Sequence, residues 1–370
     1  MRTTDSWSRE ADFERMSNDV KNTNRLRVVA ATPISEELIQ LILAAEPRVD
    51  FIRDQTLLPP MRMAGDHAGD PAFCRSGQQQ RAFEDLVDSA DALYGVPDED
   101  PAALRRTADV NMNLRWVHTM PAGGGGQVKA ANLSSDQLAR IAFSTSAGVH
   151  AESLAEFAIF GLLAGAKDLS RLLEQQRNRQ WSGRWPMALI SQQRILLVGL
   201  GSIGRATAAK LKALGATVVG ISRHDDPVPN VDEVASPDRL AEVVAGVDGI
   251  VVSLPGTAAT EGLISAKVLG AAKAGTTLVS VGRGTVIDEA ALLDALDHGR
   301  IGFAVLDVFS SEPLSAESRL WKHPGVLISP HTAALNPEED RLIAELFVSN
   351  ATKFLDGEQL TNRVNTVEFY

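Results

Sequence analysis

Four side chains in the second half of the chain are of types that hold anions and move protons: Arg283, Asp307, Glu312 and His331. A guanidinium can fork onto two oxygens of one carboxylate. An imidazole beside a carboxylate gains and loses a proton near neutral pH. The four lie just past short apolar runs that read as strands, in Val281-Gly-Arg-Gly284, Leu306-Asp-Val308, Ser311-Glu-Pro313 and Ser329-Pro-His-Thr332. In an open α/β sheet the carboxyl ends of the strands face the ligand crevice, so polar residues there are the candidates for chemistry. Any one of them alone reads as a surface charge or a satisfied polar group. Their concentration at consecutive strand ends, downstream of a glycine-rich turn, favours a shared site.

That turn is Ile195-Leu-Leu-Val-Gly-Leu-Gly-Ser-Ile-Gly204. Ile195 to Val198 reads as a buried parallel strand, and Gly199, Gly201 and Gly204 follow at the spacing G-x-G-x-x-G. A helical pattern then runs to Leu214, is stopped by Gly215, and leads to a second strand, Thr217 to Ile221. In such a β-α-β unit the first glycine allows the bend, the second admits a pyrophosphate to the backbone, and the third permits close packing. The free amides at the helix start face the phosphates. An NAD-specific unit carries an acid at the end of its second strand to hold the ribose hydroxyls. Here Ser222 stands there and Arg223 follows, a pair suited to a 2'-phosphate. Asp225 and Asp226 lie close behind and argue the other way.

At 370 residues the chain accommodates two domains. A net charge of -11 repels nucleic acid at long range, and leaves an anionic substrate dependent on a local cation such as one arginine. No apolar run approaches the ~20 residues of a membrane span. The single cysteine, Cys74, excludes an intramolecular disulfide and agrees with a cytoplasmic setting. His118 and His298 show no metal-ligand spacing, His150 reads as a residue at a helix cap, and no metal is expected.

Residues 1–25 are polar, lack an apolar core segment, and read as an arm preceding the first domain. Strands are predicted at Leu26–Ala30, Val49–Ile52, Ala92–Gly95, Leu114–His118 and Ile141–Ser144, with helices opening at Ser35, Gln80 and Pro101. The pattern lapses between Arg53 and Gln80, a stretch either functional or without order. Gly123-Gly-Gly-Gly126 reads as a loop of backbone amides open to a carboxylate, with Trp116 and Met120 as side chains that could shape a pocket beside it. Apolar residues at helical spacing predict one long helix from His150 to Gln176. Further strands are predicted at Gly249–Leu254, Thr277–Val281 and Gly302–Leu306, separated by helices at Pro237–Ala245, Ile264–Ala271 and Glu289–His298, and a last helix at Glu338–Leu355. This alternation predicts an α/β fold with doubly wound parallel sheets.

From Leu26 to Asn365 the chain resembles the D-isomer-specific 2-hydroxyacid dehydrogenase family, which includes glyoxylate/hydroxypyruvate reductases and 3-phosphoglycerate dehydrogenase. The motifs that carry the likeness are Val198-Gly-Leu-Gly-Ser-Ile-Gly204, Leu254-Pro-Gly-Thr-Ala-Ala-Thr-Glu-Gly-Leu-Ile264, Gly282-Arg-Gly-Thr-Val-Ile-Asp288, Leu306-Asp-Val-Phe-Ser-Ser-Glu-Pro-Leu314 and Ser329-Pro-His-Thr-Ala333. The resemblance implies a discontinuous, flavodoxin-like substrate domain from residues 26–148 and 336–370. It also implies a Rossmann-type cofactor domain over 149–335 and a homodimer built on the cofactor domains.

It further implies that Arg283, Glu312 and His331 are catalytic. Reduction of a 2-oxo acid needs a hydride at the carbonyl carbon, a proton at its oxygen and a cation for the carboxylate, and these residue types answer the last two needs. Implied cofactor contacts come from Gly199, Gly201, Ser202, Ile203 and Gly204, from Ser222 and Arg223, from Leu254, Pro255 and Thr260, from Val281, Gly282 and Arg283, and from Asp307 and His331. Implied substrate contacts come from Gly123, Gly124, Arg283 and His331. NADP(H) is the favoured cofactor, with NAD(H) the other option. The glycine loop replaces the family's usual A-G-V-D type sequence, and Ser280 stands where asparagine is common. These departures bear on which small 2-oxo or 2-hydroxy acid is taken. The absence of a module after Tyr370 speaks against the longer, regulated phosphoglycerate dehydrogenases. A nucleotide-sensing corepressor is the alternative from another class, and turnover of glyoxylate or hydroxypyruvate separates it from an enzyme.

Overall fold

The computed structural model describes residues 25–224, 226–367 and 369. Of the arm read at residues 1–25, all but Arg25 lies outside the described residues. The chain divides into two compact units, one running up to Val149 and resuming at Asn336, the other comprising His150–Leu335.

The first unit holds β1 (Leu26–Ala30), β2 (Val49–Ile52), β3 (Ala92–Tyr94), β4 (Trp116–Thr119) and β5 (Ala142–Thr145). They pair in parallel in the order β2-β1-β3-β4-β5, the flavodoxin-like order. Its helices start where side chains satisfy the first amides. The Ser35 hydroxyl accepts from the Leu38 amide, and Ser76 and Gln79 form a reciprocal capping box. The C-terminal helix Glu339–Leu355 places Ile343, Ala344, Phe347 and Ala351 on one stripe and buries them in this unit's core. Phe347 stacks on Trp116 with ring centroids 4.7 Å apart.

Trp116 and Met120 are therefore core residues with no exposed surface, which corrects their reading as pocket-shaping side chains. Strand alternation alone cannot tell which polar end of a sheet a tryptophan faces, whereas the aromatic stack settles it. The stretch between Arg53 and Gln80 is tied down along its length. Arg75 donates to the Leu57 carbonyl at 2.6 Å and to Asp98 at 2.8 Å, Arg62 pairs with Asp66 at 2.7 Å, and the Gly65 amide donates to Asp340 at 3.2 Å.

The second unit holds β6 (Arg194–Val198), β7 (Thr217–Ile221), β8 (Glu233–Ala235), β9 (Gly249–Val252), β10 (Thr276–Ser280), β11 (Ile301–Leu306) and β12 (Val326–Ile328). All seven are parallel in the order β12-β11-β10-β9-β6-β7-β8. From the β8 edge this is the Rossmann order 3-2-1-4-5-6 with one strand added. Alternate residues feed opposite faces: Leu196, Val198, Ile250 and Leu278 enter one apolar cluster, Ile195, Leu197, Val251 and Val279 the other. Both faces being buried explains why these strands read as continuous apolar runs.

Two features depart from the sequence reading. The edge strands β8 and β12 were not foreseen, because three residues carry no period. The helix predicted from His150 to Gln176 is two helices, Ala151–Ala166 and Leu169–Arg177, broken where Asp168 adopts φ 54°. The second piece buries none of its residues, so the spacing of Leu169 and Leu173 did not report a core stripe.

Candidate active site

The glycine turn after β6 has the shape its spacing calls for. Gly199 sits at φ +111°, and a Cβ on Gly204 would lie 2.0 Å from the Gly199 carbonyl oxygen, so both positions exclude a side chain. A Cβ on Gly201 would meet nothing within 4 Å, which leaves open space over that backbone. The helix Ser202–Ala213 starts there without a side-chain cap. Among the described residues no acceptor takes the amides of Ser202, Ile203 or Gly204, the positive end of the helix dipole. An open backbone approach ending on unpaired donors fits a dinucleotide's pyrophosphate.

At the end of β7 the Ser222 amide donates to the Ala235 carbonyl, and the Ser222 hydroxyl accepts the His224 amide at 3.0 Å. Arg223 is exposed and pairs with no acid among the described residues. Asp226 is exposed as well, and Asp225 lies outside the described residues. Beyond β9, the Thr260 hydroxyl donates to the Pro255 carbonyl at 2.6 Å and accepts the Thr257 amide at 2.9 Å. That hydroxyl thus closes the turn that presents Leu254 and Pro255. Val281 and Gly282 follow β10, and a Cβ on Gly282 would strike the Leu254 carbonyl at 2.4 Å.

Arg283, Glu312 and His331 line one cavity of about 400 Å³, together with Gly256, Gly284, Thr285, Phe309 and Ser310. His331 Nδ1 lies 2.7 Å from Glu312 Oε2, and the other carboxylate oxygen accepts the Phe309 amide at 2.9 Å. Burial pushes the Glu312 carboxyl up, but its hydrogen bond to His331, the Phe309 amide and the nearby charges of His331 and Arg283 outweigh it. The carboxyl is held below its ordinary range. A proton on His331 Nδ1 is thereby favoured, and Nε2 is the nitrogen left to exchange a proton with a ligand. The Arg283 guanidinium spends one donor on the Gly282 carbonyl, at 2.9 Å, and keeps the rest of its fork.

Asp307, at the end of β11, does more than its sequence position suggested. One carboxylate oxygen accepts the Ser329 hydroxyl at 2.6 Å and the amides of Thr332 and Ala333 at 3.0 and 3.1 Å. Its carbonyl accepts the His331 amide at 3.0 Å. Ser329 was not among the residues singled out from sequence, nor was Glu289, whose carboxylate accepts the Ser310 amide at 2.6 Å and so anchors the turn that carries Glu312.

The packing that shapes this turn is testable. A Cβ on Gly284 would lie 1.9 Å from the Phe309 carbonyl carbon, and backbone cannot swing aside as a side chain does. Gly284→Ala should cost about 3 kcal/mol of stability, the upper range for overpacking, seen as a drop of several degrees in thermal unfolding. An alanine variant melting with the wild type would show that the Phe309 segment yields freely.

In the first unit, Gly124 and Gly126 donate their amides to the carbonyls of Pro121 and Gly123 as the loop winds into the helix Gly125–Ala130. The run is therefore half helix start, not an open loop throughout. The Gly124 amide is already spent, while among the described residues no acceptor takes the Gly123 amide. His118 is fully buried between the hydroxyls of Ser144 and Ser146, at 2.8 and 3.2 Å, and burial pushes it down to about 3. It is a neutral core histidine. His150 is the N-cap of the helix Ala151–Ala166, and His298 is an exposed C-cap bonded back to Asp294.

The open backbone of the glycine turn and, in the same unit, a cavity with an arginine and a carboxylate-paired histidine are the parts that a nucleotide-dependent oxidoreductase requires. Comparison with known proteins agrees. Residues 159–333 match D-isomer specific 2-hydroxyacid dehydrogenase, NAD binding domain. An uncharacterized protein from the proB 3' region of Corynebacterium melassecola is 32% identical over 310 residues, covering 81% of this chain and 95% of its own. Glyoxylate/hydroxypyruvate reductase A of Salmonella typhi is 33% identical over 174 residues, 47% of this chain and 55% of that one, so only about half of the reductase is spanned. The crystal structure of a D-isomer specific 2-hydroxyacid dehydrogenase from Xanthobacter autotrophicus in complex with NADPH and MES superposes with a TM-score of 0.73 at 28% identity, covering 94% of this chain and all of that one. The chain belongs to the D-isomer-specific 2-hydroxyacid dehydrogenase family, whose members are NAD(P)-dependent enzymes acting on CH–OH donors.

Proposed function

We propose that this protein reduces a small 2-oxo acid of the glyoxylate or hydroxypyruvate type to the D-2-hydroxy acid, with NADPH as the preferred cofactor. The observation that carries the reading is the single cavity joining Arg283 to the His331–Glu312 pair. When bound, the reduced nicotinamide supplies the hydride. Arg283 holds the substrate carboxylate and carbonyl oxygen by its fork, and protonated His331 gives its Nε2 proton to that oxygen as charge develops there. Glu312 keeps the imidazole charged and oriented. The glycine turn, Ser222, Arg223, Leu254, Pro255, Thr260, Val281, Gly282 and Asp307 build the cofactor site. Rates with a panel of 2-oxo acids and both reduced cofactors, with the handedness of the product, test the proposal; no turnover of any 2-oxo acid would overturn it.

The cofactor preference rests on Arg223, exposed and unpaired among the described residues, beside a serine in place of an acid. Arg223→Ala should lower kcat/KM with NADPH by about 10-fold or more, the worth of one charge-assisted contact, and leave NADH nearly unaltered. Equal losses with both cofactors would show that the arginine does not read the extra phosphate. NADPH bound to the Xanthobacter relative supports the same choice.

A homodimer through the cofactor domain is part of the proposal. Phe160, Trp181 and Leu189 are exposed on the Ala151–Ala166 helix and the segment after it, large apolar side chains of the kind a second copy covers. Light scattering of the purified protein reads this directly. A cytoplasmic setting is proposed with it, and among the described residues no helix is long and apolar enough to cross a membrane.

A further inference from the structure

We infer that Ser329 is a positioning residue for His331, acting through the buried carboxylate of Asp307. The inference rests on the proposed role of His331 as proton donor. β12 ends with the Ser329 amide donating to the Leu306 carbonyl at 2.9 Å, which keeps Ser329 in line with the end of β11. Its hydroxyl then turns to Asp307 Oδ1 at 2.6 Å, and the same oxygen gathers the amides of Thr332 and Ala333. The Asp307 carbonyl takes the amide of His331 itself. His331 is thus bracketed on both sides by hydrogen bonds to one residue that is only 1% exposed.

The bracket is needed because His331 adopts φ +53°, a left-handed conformation that a side chain other than glycine's disfavours. Such a conformation persists only where the surroundings over-determine it. Here the constraint has a visible product: the ring meets Glu312 at 2.7 Å although its side chain is 44% exposed, with little packing of its own to hold it. Without the Ser329 hydroxyl, Asp307 Oδ1 loses its only side-chain donor among the described residues. The carboxylate is then held by the Thr332 and Ala333 amides alone, and the turn loosens at the residue whose ring placement matters most. A small misplacement of a proton donor costs rate out of proportion to its size. Threonine keeps the hydroxyl and should keep the bracket.

The test compares wild type, Ser329→Ala and Ser329→Thr in three readouts: kcat and KM for glyoxylate with NADPH across pH 5–9 (about the range in which an imidazole titrates), NADPH affinity by fluorescence, and the titration of His331 by NMR of nitrogen-labelled histidine. Ser329→Ala should lower kcat about 10-fold with NADPH affinity unchanged, and move the His331 titration midpoint to lower pH as its contact with Glu312 weakens. Ser329→Thr should restore both. Should alanine prevent folding, Ser329→Cys keeps the volume with a weaker donor and should show the same shifts at smaller amplitude. An alanine or cysteine variant with the wild-type His331 midpoint would overturn the inference, as would a loss of kcat that threonine fails to restore, or a loss that follows weakened NADPH binding. The NMR midpoint reads the His331–Glu312 contact without turnover, so it decides the positioning role even if the proposed reaction fails.

Discussion

Replacing His331 by alanine should lower kcat for every good 2-oxo acid by about 10² to 10⁴, the range for loss of a positioned acid or base, while NADPH affinity changes little. The ring meets Glu312 through Nδ1, so Nε2 is the ring nitrogen left to deliver a proton, and no other histidine lines the cavity. Reduction requires His331 charged at the outset, so kcat should fall as pH rises through the titration of the pair. Glu312, held below the ordinary carboxylate range, stays ionised throughout that interval. Removing its charge by Glu312→Gln should therefore move the falling limb to lower pH, because the imidazolium loses its partner. Stopped-flow measurement of a single turnover checks the alanine variant, since it isolates the chemical step from product release. Survival of the wild-type rate in that step would remove His331 from the chemistry.

The glycine turn was legible because its pattern is local: strand, three glycines and helix follow one another within twenty residues, and the structure shows open space over Gly201. The central strands were legible for the same reason, each carrying enough apolar residues to announce burial on two faces. Edge strands β8 and β12 were not, since three residues fixed only by one neighbour leave no pattern. The break at Asp168 was hidden because an apolar spacing of three and four continues across it, while the backbone does not. Arg283, Glu312 and His331 could be picked out by type and strand-end position. The groups that hold them could not: Ser329 reaches Asp307 across 22 residues, and Glu289 reaches Ser310 across 21, distances over which one sequence without relatives carries no signal.

Arg283→Lys is the substitution that separates charge from geometry. Lysine keeps one positive charge but offers a single point where the guanidinium offers a planar fork. Arg283 is set between Gly282 and Gly284, whose missing side chains let the backbone press against Leu254 on one side and Phe309 on the other, so the fork projects from a fixed base. One of its nitrogens is further restrained on the Gly282 carbonyl. A lysine on that base loses the restraint along with the second donor to the ligand. Loss of one charge-assisted bond of the bidentate pair should cost about 10²-fold in kcat/KM. Most of that loss should fall on KM, because the carboxylate is held alike before and during reaction. A smaller part should fall on kcat, to the extent that the fork also steadies the carbonyl oxygen as it gains charge. Steady-state kinetics with glyoxylate at saturating NADPH separates the two. Unchanged KM and kcat would sink the carboxylate-clamp role, while a loss confined to kcat would mean that Arg283 serves the developing oxyanion and that another group binds the carboxylate.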